Sequence, residues 1–250
     1  MRAAILAAGV GRRLRQPDLG PKALLRFGSE TLLARHLRVL RHVGIEHVDL
    51  CVGYRAEEIL AELERLGALA VGRVTPHHNA EFERGALLSL WTLRDAFVAG
   101  EPVVFMDADV LADHRIMERL MASAHANCFL MDRELDEGED PVKLCLRDGV
   151  LVDLHKRPRI AHDEQGEWIG FARFAPDAAA RVAVAAGARV AAGEHDAIYE
   201  EAFRDVLLDA PPGTFGVEDV TGLPWVEIDF PEDLERAERE VLPRLASLPR

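Results

Sequence analysis

The sequence contains few cysteines, few aromatic residues and no long apolar run. Its three cysteines, Cys51, Cys128 and Cys145, are too few and too scattered for a disulfide framework or a zinc site. The apolar run at the N-terminus is too short for a secretory signal and is followed at once by arginines. The alanine-rich stretch at 178–193 is interrupted by Arg181 and Arg189, so we expect it not to span a membrane. We therefore expect a cytoplasmic protein with buried, free thiols.

Positive charge is also scarce. The 250 residues include 30 lysines and arginines against 43 aspartates and glutamates, which gives a net charge of −13. A surface this acidic repels nucleic-acid backbones and anionic lipids, so the composition argues against binding to nucleic acid or to membrane surfaces. An anionic ligand must instead bind where the few cations are concentrated.

Short apolar runs alternate with longer amphipathic segments through the first half of the chain. The pattern predicts strands at 3–7, 47–52, 69–75 and 102–106, and helices at 31–42, 56–66 and 85–97. Ser29 is the expected N-cap of the first helix. Strands and helices in this alternation form parallel sheets that are covered by helices on both faces.

After residue 126 the pattern changes to strands separated by short turns. The predicted strands lie at 127–131, 142–146, 150–155, 168–174 and 225–228, and the predicted helices at 196–208 and 231–245. Hydrophobic residues make up 49% of the chain, enough for a packed core. We therefore predict a single α/β domain over 1–250, with a mixed, mostly parallel central sheet flanked by helices in a Rossmann-like arrangement. Residues 126–225 form a smaller β insertion, and residues 226–250 add a closing strand and helix.

The first predicted strand leads directly into a loop with two close glycines, Gly9 and Gly11. Such a loop points backbone N–H groups at an anion and lets a phosphate approach closely. It does not match a dinucleotide-binding fingerprint, because Leu14 stands where a third glycine is needed, nor a P-loop, because Lys22 lies between proline and alanine. Four cations nevertheless lie within eleven residues, and they are Arg12, Arg13, Arg15 and Lys22. A polyphosphate is the natural ligand for such a cluster.

The residues in and after this loop resemble the signature of the nucleotidyltransferases with a GT-A-like fold. The two parts of the signature are Leu6-Ala7-Ala8-Gly9-x-Gly11-x-Arg13-Leu14 and Pro21-Lys22-Ala23-Leu24. Enzymes of this family join a nucleoside triphosphate to a sugar phosphate or phospho-alcohol and release pyrophosphate. The resemblance implies that Arg13 and Lys22 are catalytic and neutralise the triphosphate in the transition state. It also implies a nucleotide-binding segment formed by Leu6, Ala7, Ala8, Gly9, Gly11 and Arg12.

Nucleotidyl transfer between anions needs a cation, usually Mg²⁺ on carboxylate oxygens. Asp107 and Asp109 lie at the carboxyl end of a predicted strand, where ligands bind in open α/β sheets. In the resemblance, Asp109 matches the aspartate that binds substrate and metal, and Asp107 is a further candidate ligand. Asp229, in the closing motif at 227–229, matches the second metal ligand. Alternatively, Asp229 caps the helix that begins at Pro231.

Motifs in both halves resemble the CTP-dependent subgroup that includes cytidylyltransferases for phosphocholine and for 2-aminoethylphosphonate. These motifs lie at 52–54, 140–144, 166–172, 199–203 and 223–229. The resemblance makes 1–125 the nucleotide-binding half, with contacts from Gly53, Tyr54, Asn79 and Ser89. It makes 126–225 the acceptor-binding half, with contacts from Lys143, Lys156, Glu167, Trp168, Glu201 and Trp225. The two lysines would bind a phosphate or phosphonate, and the tryptophans with their neighbouring acids would bind an ammonium head. Both tryptophans serve equally well as core anchors.

The resemblance implies transfer of CMP from CTP to a small phosphonate or phosphate monoester, with Mg²⁺ as cofactor and release of pyrophosphate. Two alternatives stay open at this stage. One is a sugar-1-phosphate nucleotidyltransferase that uses UTP, GTP or ATP, and the other is a nucleotide-sensing domain without turnover. No sequence pattern marks an interface, so a homodimer stays open as well.

Overall fold

The computed structural model describes residues 1–15, 17–69, 72–134 and 141–248. The strands in these ranges are β1 (Arg2–Ala7), β2 (Arg26–Phe27), β3 (Glu30–Thr31), β4 (His47–Val52), β5 (Val74–His78), β6 (Val103–Asp107), β7 (Val110–Ala112), β8 (Cys128–Asp132), β9 (Lys143–Arg147), β10 (Val150–His155), β11 (Glu164–Phe174), β12 (Gly216–Asp219) and β13 (Trp225–Glu227). Residues 70 and 71 of the strand predicted at 69–75, and Asp140 of the motif at 140–144, lie outside the described residues.

Helices connect most of these strands. They are α1 (Leu32–His42), α2 (Ala56–Arg65), α3 (Ala86–Thr92), α4 (Arg94–Phe97), α5 (His114–Ala122), α6 (Pro176–Ala191), α7 (Glu200–Asp209) and α8 (Pro231–Arg236). Single turns of 3₁₀-helix at Arg12–Leu14 and Lys22–Leu24 follow β1, in the loop that contains the basic cluster.

The central sheet is mixed and continues across both halves of the chain. Its parallel part has the order β5-β4-β1-β6, and β11 pairs antiparallel with β6 at the other edge of that part. Strands β8 and β12 extend the sheet beyond β11, and the β9–β10 hairpin pairs with the first residues of β11. This topology confirms the predicted α/β class. It also brings the carboxyl ends of β1, β4 and β6 to one edge, because these strands are parallel neighbours.

Apolar side chains fill both faces of the sheet. On one face, residues of α1 and α2 such as Leu33, Leu40 and Ile59 are completely or almost completely buried. The other face contains an aromatic cluster in which Phe203 of α7 contacts five rings with centroids 5.0 to 6.3 Å apart. Those rings belong to Phe105, Phe129, Trp168, Phe174 and Tyr199. This cluster attaches α7 to β6, β8 and β11, so it supports the part of the sheet that was predicted as an insertion.

Two helices were not predicted from the sequence. The alanine-rich stretch forms α6, which begins with Pro176 at its first position and buries Ala179, Val182 and Ala186 at helical spacing. Helix α5 is capped by Asp113, whose side chain accepts a hydrogen bond from the backbone of Arg115. No described helix, α6 included, is long and apolar enough to cross a bilayer.

Several predicted boundaries and one cap were wrong. Thr31, not Ser29, caps α1, because its hydroxyl accepts the N–H of Ala34 at 3.1 Å. Strand β5 starts at Val74 rather than 69, after a connection in which Gly67 and Gly72 both adopt positive φ. The final helix is α-helical over Pro231–Arg236 and continues as a π-helical turn over Ala237–Val241 and a 3₁₀ turn over Leu242–Arg244, so helical backbone extends almost to the predicted end at 245. Pro243, which has no N–H, lies in the last of these turns.

Replacement of Phe203 with alanine should destabilise the protein by about 3–5 kcal/mol, because the side chain is fully buried among five aromatic rings. Leu208→Ala on the same helix is the matched control, since Leu208 is 44% exposed, and we expect a change within about 0.5 kcal/mol. Urea denaturation of both variants measures the difference. Equal losses of stability would show that the aromatic cluster does not anchor α7.

Candidate active site

A cavity of about 640 Å³ opens at the sheet edge formed by the carboxyl ends of β1 and β6. Its floor includes Ala8 and Gly9, which directly follow β1, together with Asp107 at the end of β6. Gly11 has a φ of 66° and its α-carbon faces the side chain of Lys22, where an added Cβ would lie 3.3 Å from the lysine stem. The glycine loop therefore folds tightly over Lys22 and directs it along the cavity wall.

Lys22 lies between two aspartates that come from distant parts of the chain. Its ammonium Nζ donates to Asp109 Oδ2 at 2.9 Å and to Asp229 Oδ1 at 2.5 Å. Arg13 forms a salt bridge with the other oxygen of Asp229, with Nη2 2.7 Å from Oδ2, and its guanidinium lies over the ring of Phe230. Burial alone would lower the pKa of Lys22, but the charges of Asp109 and Asp229 raise it above its usual value. Lys22 is therefore held as a cation.

Glu227 completes a group of three carboxylates with Asp109 and Asp229. One oxygen from each residue lies within 4.8 Å of the others. Burial raises the pKa of Glu227, and the negative charges of Asp109 and Asp229 raise it further. Clustered carboxylate oxygens are the donors that hard divalent cations prefer, so these three residues fit a metal ion. Glu227 lies in the same closing motif as Asp229, from which only Asp229 was predicted as a ligand.

Asp229 does not cap the last helix. The N-cap position of α8 is Phe230, and the side chain of Asp233 in the first turn accepts the backbone N–H groups of Asp229 and Phe230 at 2.9 and 2.6 Å. The carboxylate of Asp229 is thereby left to Lys22 and Arg13. The alternative interpretation of Asp229 from the sequence is wrong for this reason.

Asp107 lies beside the three carboxylates but has a different environment. The hydroxyl of Tyr199 donates to Asp107 Oδ2, and Gly170 of β11 approaches the same oxygen from the neighbouring strand. Burial raises the pKa of Asp107, and repulsion from Asp109 and Glu227 raises it further, while the bond from Tyr199 acts in the opposite direction. Its predicted role as a metal ligand stays a prediction. No local motif indicated the hydrogen bond between Tyr199 and Asp107.

Most of the predicted site residues line this one cavity. They are Leu6, Ala8, Gly9, Gly11, Arg12, Arg13, Lys22, Ser89, Asp107, Asp109, Lys156, Glu167, Trp168, Trp225 and Asp229. Six others do not line it: Ala7, Gly53, Tyr54, Asn79, Lys143 and Glu201. The two halves of the chain therefore contribute to a common site, in which the roles assigned to individual residues stay predictions.

Three of the residues outside the lining support the predicted nucleotide pocket. Asn79 is buried and its side-chain amide donates to Ser89 Oγ at 3.1 Å, which fixes a hydroxyl that faces the cavity. Gly53 packs so closely against Phe82 that a Cβ added to Gly53 would lie 2.5 Å from the Cβ of Phe82. Tyr54 donates its backbone N–H to Ala8 at 3.1 Å and thereby connects β4 to the glycine loop.

The predicted acceptor-binding residues also divide into those that line the cavity and those that lie outside its lining. Lys156 lines the cavity, whereas Lys143 donates to the backbone carbonyl of Lys156 at 3.2 Å and so holds that segment. Glu201 is paired with His155 and Arg189 at 3.1 and 3.3 Å, outside the lining. Its neighbour Glu200, which was not predicted, lines the cavity instead.

Both predicted tryptophans are buried at the cavity wall. Trp168 stacks on Phe105 and donates its indole N–H to the carbonyl of Phe171 at 2.8 Å. Trp225 donates to Asp132 Oδ2 at 2.7 Å. Each indole therefore has a structural partner, and each also borders the space that a ligand would occupy.

The glycine loop and its cations therefore face a group of carboxylates at the edge of a mixed α/β sheet, an arrangement suited to a nucleoside triphosphate and a divalent cation. The chain belongs to the MobA-like NTP transferase domain family, whose model matches residues 3–167.

Two relatives are similar to this chain over nearly its whole length. The CMP-5'-(3-aminopropyl)phosphonate synthase of Streptomyces rubellomurinus is 30% identical over 95% of this chain. The bifunctional IPC transferase and DIPP synthase of Rubrobacter xylanophilus is 30% identical over 98% of it. This chain spans 38% and 53% of the lengths of these two proteins.

The fold has been seen in a solved structure, that of the CTP:phosphocholine cytidylyltransferase LicC from Streptococcus pneumoniae. The two structures superpose with a TM-score of 0.73 at 19% identity, covering 95% of this chain and 97% of the other. At this level of identity the likeness concerns the fold alone.

Gly170→Ala should destabilise the protein more than the same change at Gly149. Both glycines have positive φ, 80° and 75°, so each alanine incurs about 1–2 kcal/mol of backbone strain. At Gly170 the new Cβ would also lie 2.8 Å from Asp107 Oδ2, whereas no atom lies within 4 Å at Gly149. We expect an additional loss of about 1 kcal/mol or more at Gly170, measured by urea denaturation. Equal losses would mean that β11 does not constrain Asp107.

Proposed function

We propose that this protein transfers CMP from CTP to a small phosphonate or phosphate monoester and releases pyrophosphate. The observation that carries the proposal is the placement of Lys22 and Arg13 against Asp109 and Asp229 beneath the glycine loop. Relatives that match nearly the whole chain include a named CMP-phosphonate synthase, which supports cytidine as the nucleoside and a phosphonate as the acceptor.

The cations suit the triphosphate. Arg12, Arg13 and Lys22 line one cavity in a chain of net charge −13, so the anionic substrate is drawn to this segment. Backbone N–H groups of the loop after β1 would bind phosphate oxygens, and Ser89, held by Asn79, would contact the nucleoside.

Mg²⁺ fits the carboxylates of Asp109, Glu227 and Asp229, which would hold it through oxygen atoms. When bound, the ion would neutralise charge on the phosphate oxygens. Lys22 contacts two of these three residues, so the carboxylates that would hold the ion would also position its ammonium beside the triphosphate.

The chemistry itself needs little from the protein. An oxygen of the acceptor attacks the α-phosphorus of CTP in line, the bond to the bridging oxygen breaks, and pyrophosphate leaves with the electron pair. The attacking oxygen is already an anion, so no general base is required. Lys22 and Arg13 contribute by lowering the repulsion between two anionic substrates and by stabilising charge in the transition state.

The acceptor would bind against residues of the second half. Lys156 lines the cavity and would meet the phosphate or phosphonate, while Lys143 keeps the backbone of Lys156 in place. Glu167, Trp168 and Trp225 border the same space. The contribution of Glu201 is indirect in this arrangement, because it pairs with His155 and Arg189.

Pyrophosphate release tests the proposal directly. With Mg²⁺ present, each of CTP, UTP, GTP and ATP is combined with 3-aminopropylphosphonate, 2-aminoethylphosphonate, phosphocholine and glucose 1-phosphate. We expect release with CTP and a phosphonate or phospho-alcohol, and loss of release when EDTA removes the metal. Release only with UTP, GTP or ATP and the sugar phosphate would overturn the proposal, and so would no release with any pair.

Lys22→Ala should lower kcat by about a hundredfold to a thousandfold, because a fixed cation at the transition state is removed. Arg41→Ala, which removes an exposed cation of α1 outside the cavity lining, is the matched control and should retain wild-type turnover. Circular dichroism and the melting temperature establish that both variants are folded. Turnover of Lys22→Ala within threefold of wild type would contradict a catalytic role for Lys22.

A further inference from the structure

Asp107 is a carboxylate of the cavity that the proposed reaction does not use. It ends β6 two residues before Asp109, and both residues line the cavity. It lies close enough to Asp109 and Glu227 for their charges to raise the pKa of its carboxyl. Among the described residues, however, the carboxylates placed to share a metal ion are those of Asp109, Glu227 and Asp229. A fourth acid therefore lies beside the metal group without belonging to it.

The hydroxyl of Tyr199 holds the side chain of Asp107 in this separate position. Tyr199 directly precedes α7, lines the cavity and is only 7% exposed. Its hydroxyl donates to Asp107 Oδ2, and the backbone of Gly170 passes so closely that an added Cβ would lie 2.8 Å from the same oxygen. A hydrogen bond to a carboxylate in a buried site is among the stronger ones, so it fixes the direction of the Asp107 side chain.

The backbone around Asp107 is fixed independently of α7. The N–H of Ala108 donates to the carbonyl of Leu6 at 3.1 Å. The carbonyl of Ala108 lies 3.2 Å from Nε2 of His36, a buried residue of α1. Loss of the hydroxyl bond would therefore release the side chain of Asp107 and leave the backbone that leads to Asp109 in place.

We propose that Tyr199 is a positioning residue that keeps Asp107 out of the ligand set of the metal ion, so that three carboxylates of the protein hold the ion. This inference rests on the metal site of the proposed function and gives Asp107 a role other than that of a ligand. Mg²⁺ usually binds through one or two carboxylates and completes its octahedral shell with water and substrate phosphates. A further carboxylate would occupy a position that the triphosphate needs and would retain the ion on the protein after pyrophosphate leaves.

Tyr199→Phe tests the inference, because it removes the hydroxyl and keeps the ring that packs against Phe105 and Phe203. The released carboxylate of Asp107 would then join the metal group. We expect the Kd of Mn²⁺, measured by electron paramagnetic resonance without CTP or acceptor, to fall about tenfold, because affinity rises with the number of charged ligands. An unchanged or higher Kd in a variant that is folded by circular dichroism would overturn the inference.

Asp107→Asn identifies the source of the tighter binding. Combined with Tyr199→Phe, it should return the Kd of Mn²⁺ to within about threefold of the wild-type value, because the amide lacks the charge. Alone, it should change the Kd by less than about threefold, since Asp107 is not a ligand while Tyr199 holds it. Tighter binding that persists in the double variant, or a larger loss in Asp107→Asn alone, would overturn the inference.

Two further variants calibrate the comparison. Asp109→Asn removes a proposed ligand and should raise the Kd of Mn²⁺ by about tenfold or more. Tyr54→Phe removes the same hydroxyl from a tyrosine outside the cavity lining and should leave the Kd unchanged. An unchanged Kd in Asp109→Asn would overturn the metal site and the inference with it. Because Mn²⁺ is titrated without substrates, absence of pyrophosphate release would overturn the proposed function and leave the role of Tyr199 to these Kd values.

Discussion

The balance of charge between Lys22 and the three carboxylates is the interaction on which the rest of the site depends. Asp109, Glu227 and Asp229 bring three carboxyl groups within a few ångströms of one another, and the negative charge of such a group is stable only with cations close by. Lys22 and Arg13 supply these cations from the segment that follows β1. Lys22 and Asp229 are 207 residues apart in the sequence. These segments meet at one edge of the sheet. Strands β1 and β6 are parallel neighbours, and β13 pairs with β7, which directly follows β6.

Glycines occupy the positions in this arrangement where a side chain would prevent close packing. Gly11 allows the loop to fold onto Lys22, Gly53 admits Phe82 at the end of β4, and Gly170 lets β11 pass Asp107. Each lies at the cavity or directly behind it. The geometry of the cavity is thus determined as much by close approaches of the main chain as by the charged residues themselves.

The sequence predicted strands well where apolar runs are bounded by turn residues, and β4 and β10 agree residue for residue with the prediction. It did not predict the short strands β2, β3, β7 and β12. It missed α6, since a run of alanines has no contrast between faces, although its buried alanines do recur at helical spacing. The glycine loop, the basic cluster and the acids at the end of β6 were evident from local motifs. The contacts of Asp107 with Tyr199 and of Asn79 with Ser89 were not, because they join residues whose proximity follows only from the strand order.

The difference between Glu200 and Glu201 shows why local sequence cannot assign a site within a motif. The two residues are chemically identical neighbours at the start of one helix, and a rotation of about 100° per residue sends their side chains in different directions. One reaches Arg189 and His155, and the other reaches the cavity. Both halves of the chain supply acids to the cavity, among them Asp109 and Glu167, whereas Arg12, Arg13 and Lys22 are concentrated at the glycine loop and the turn that follows it. An anionic substrate would therefore be drawn to that segment rather than to the rest of the cavity wall.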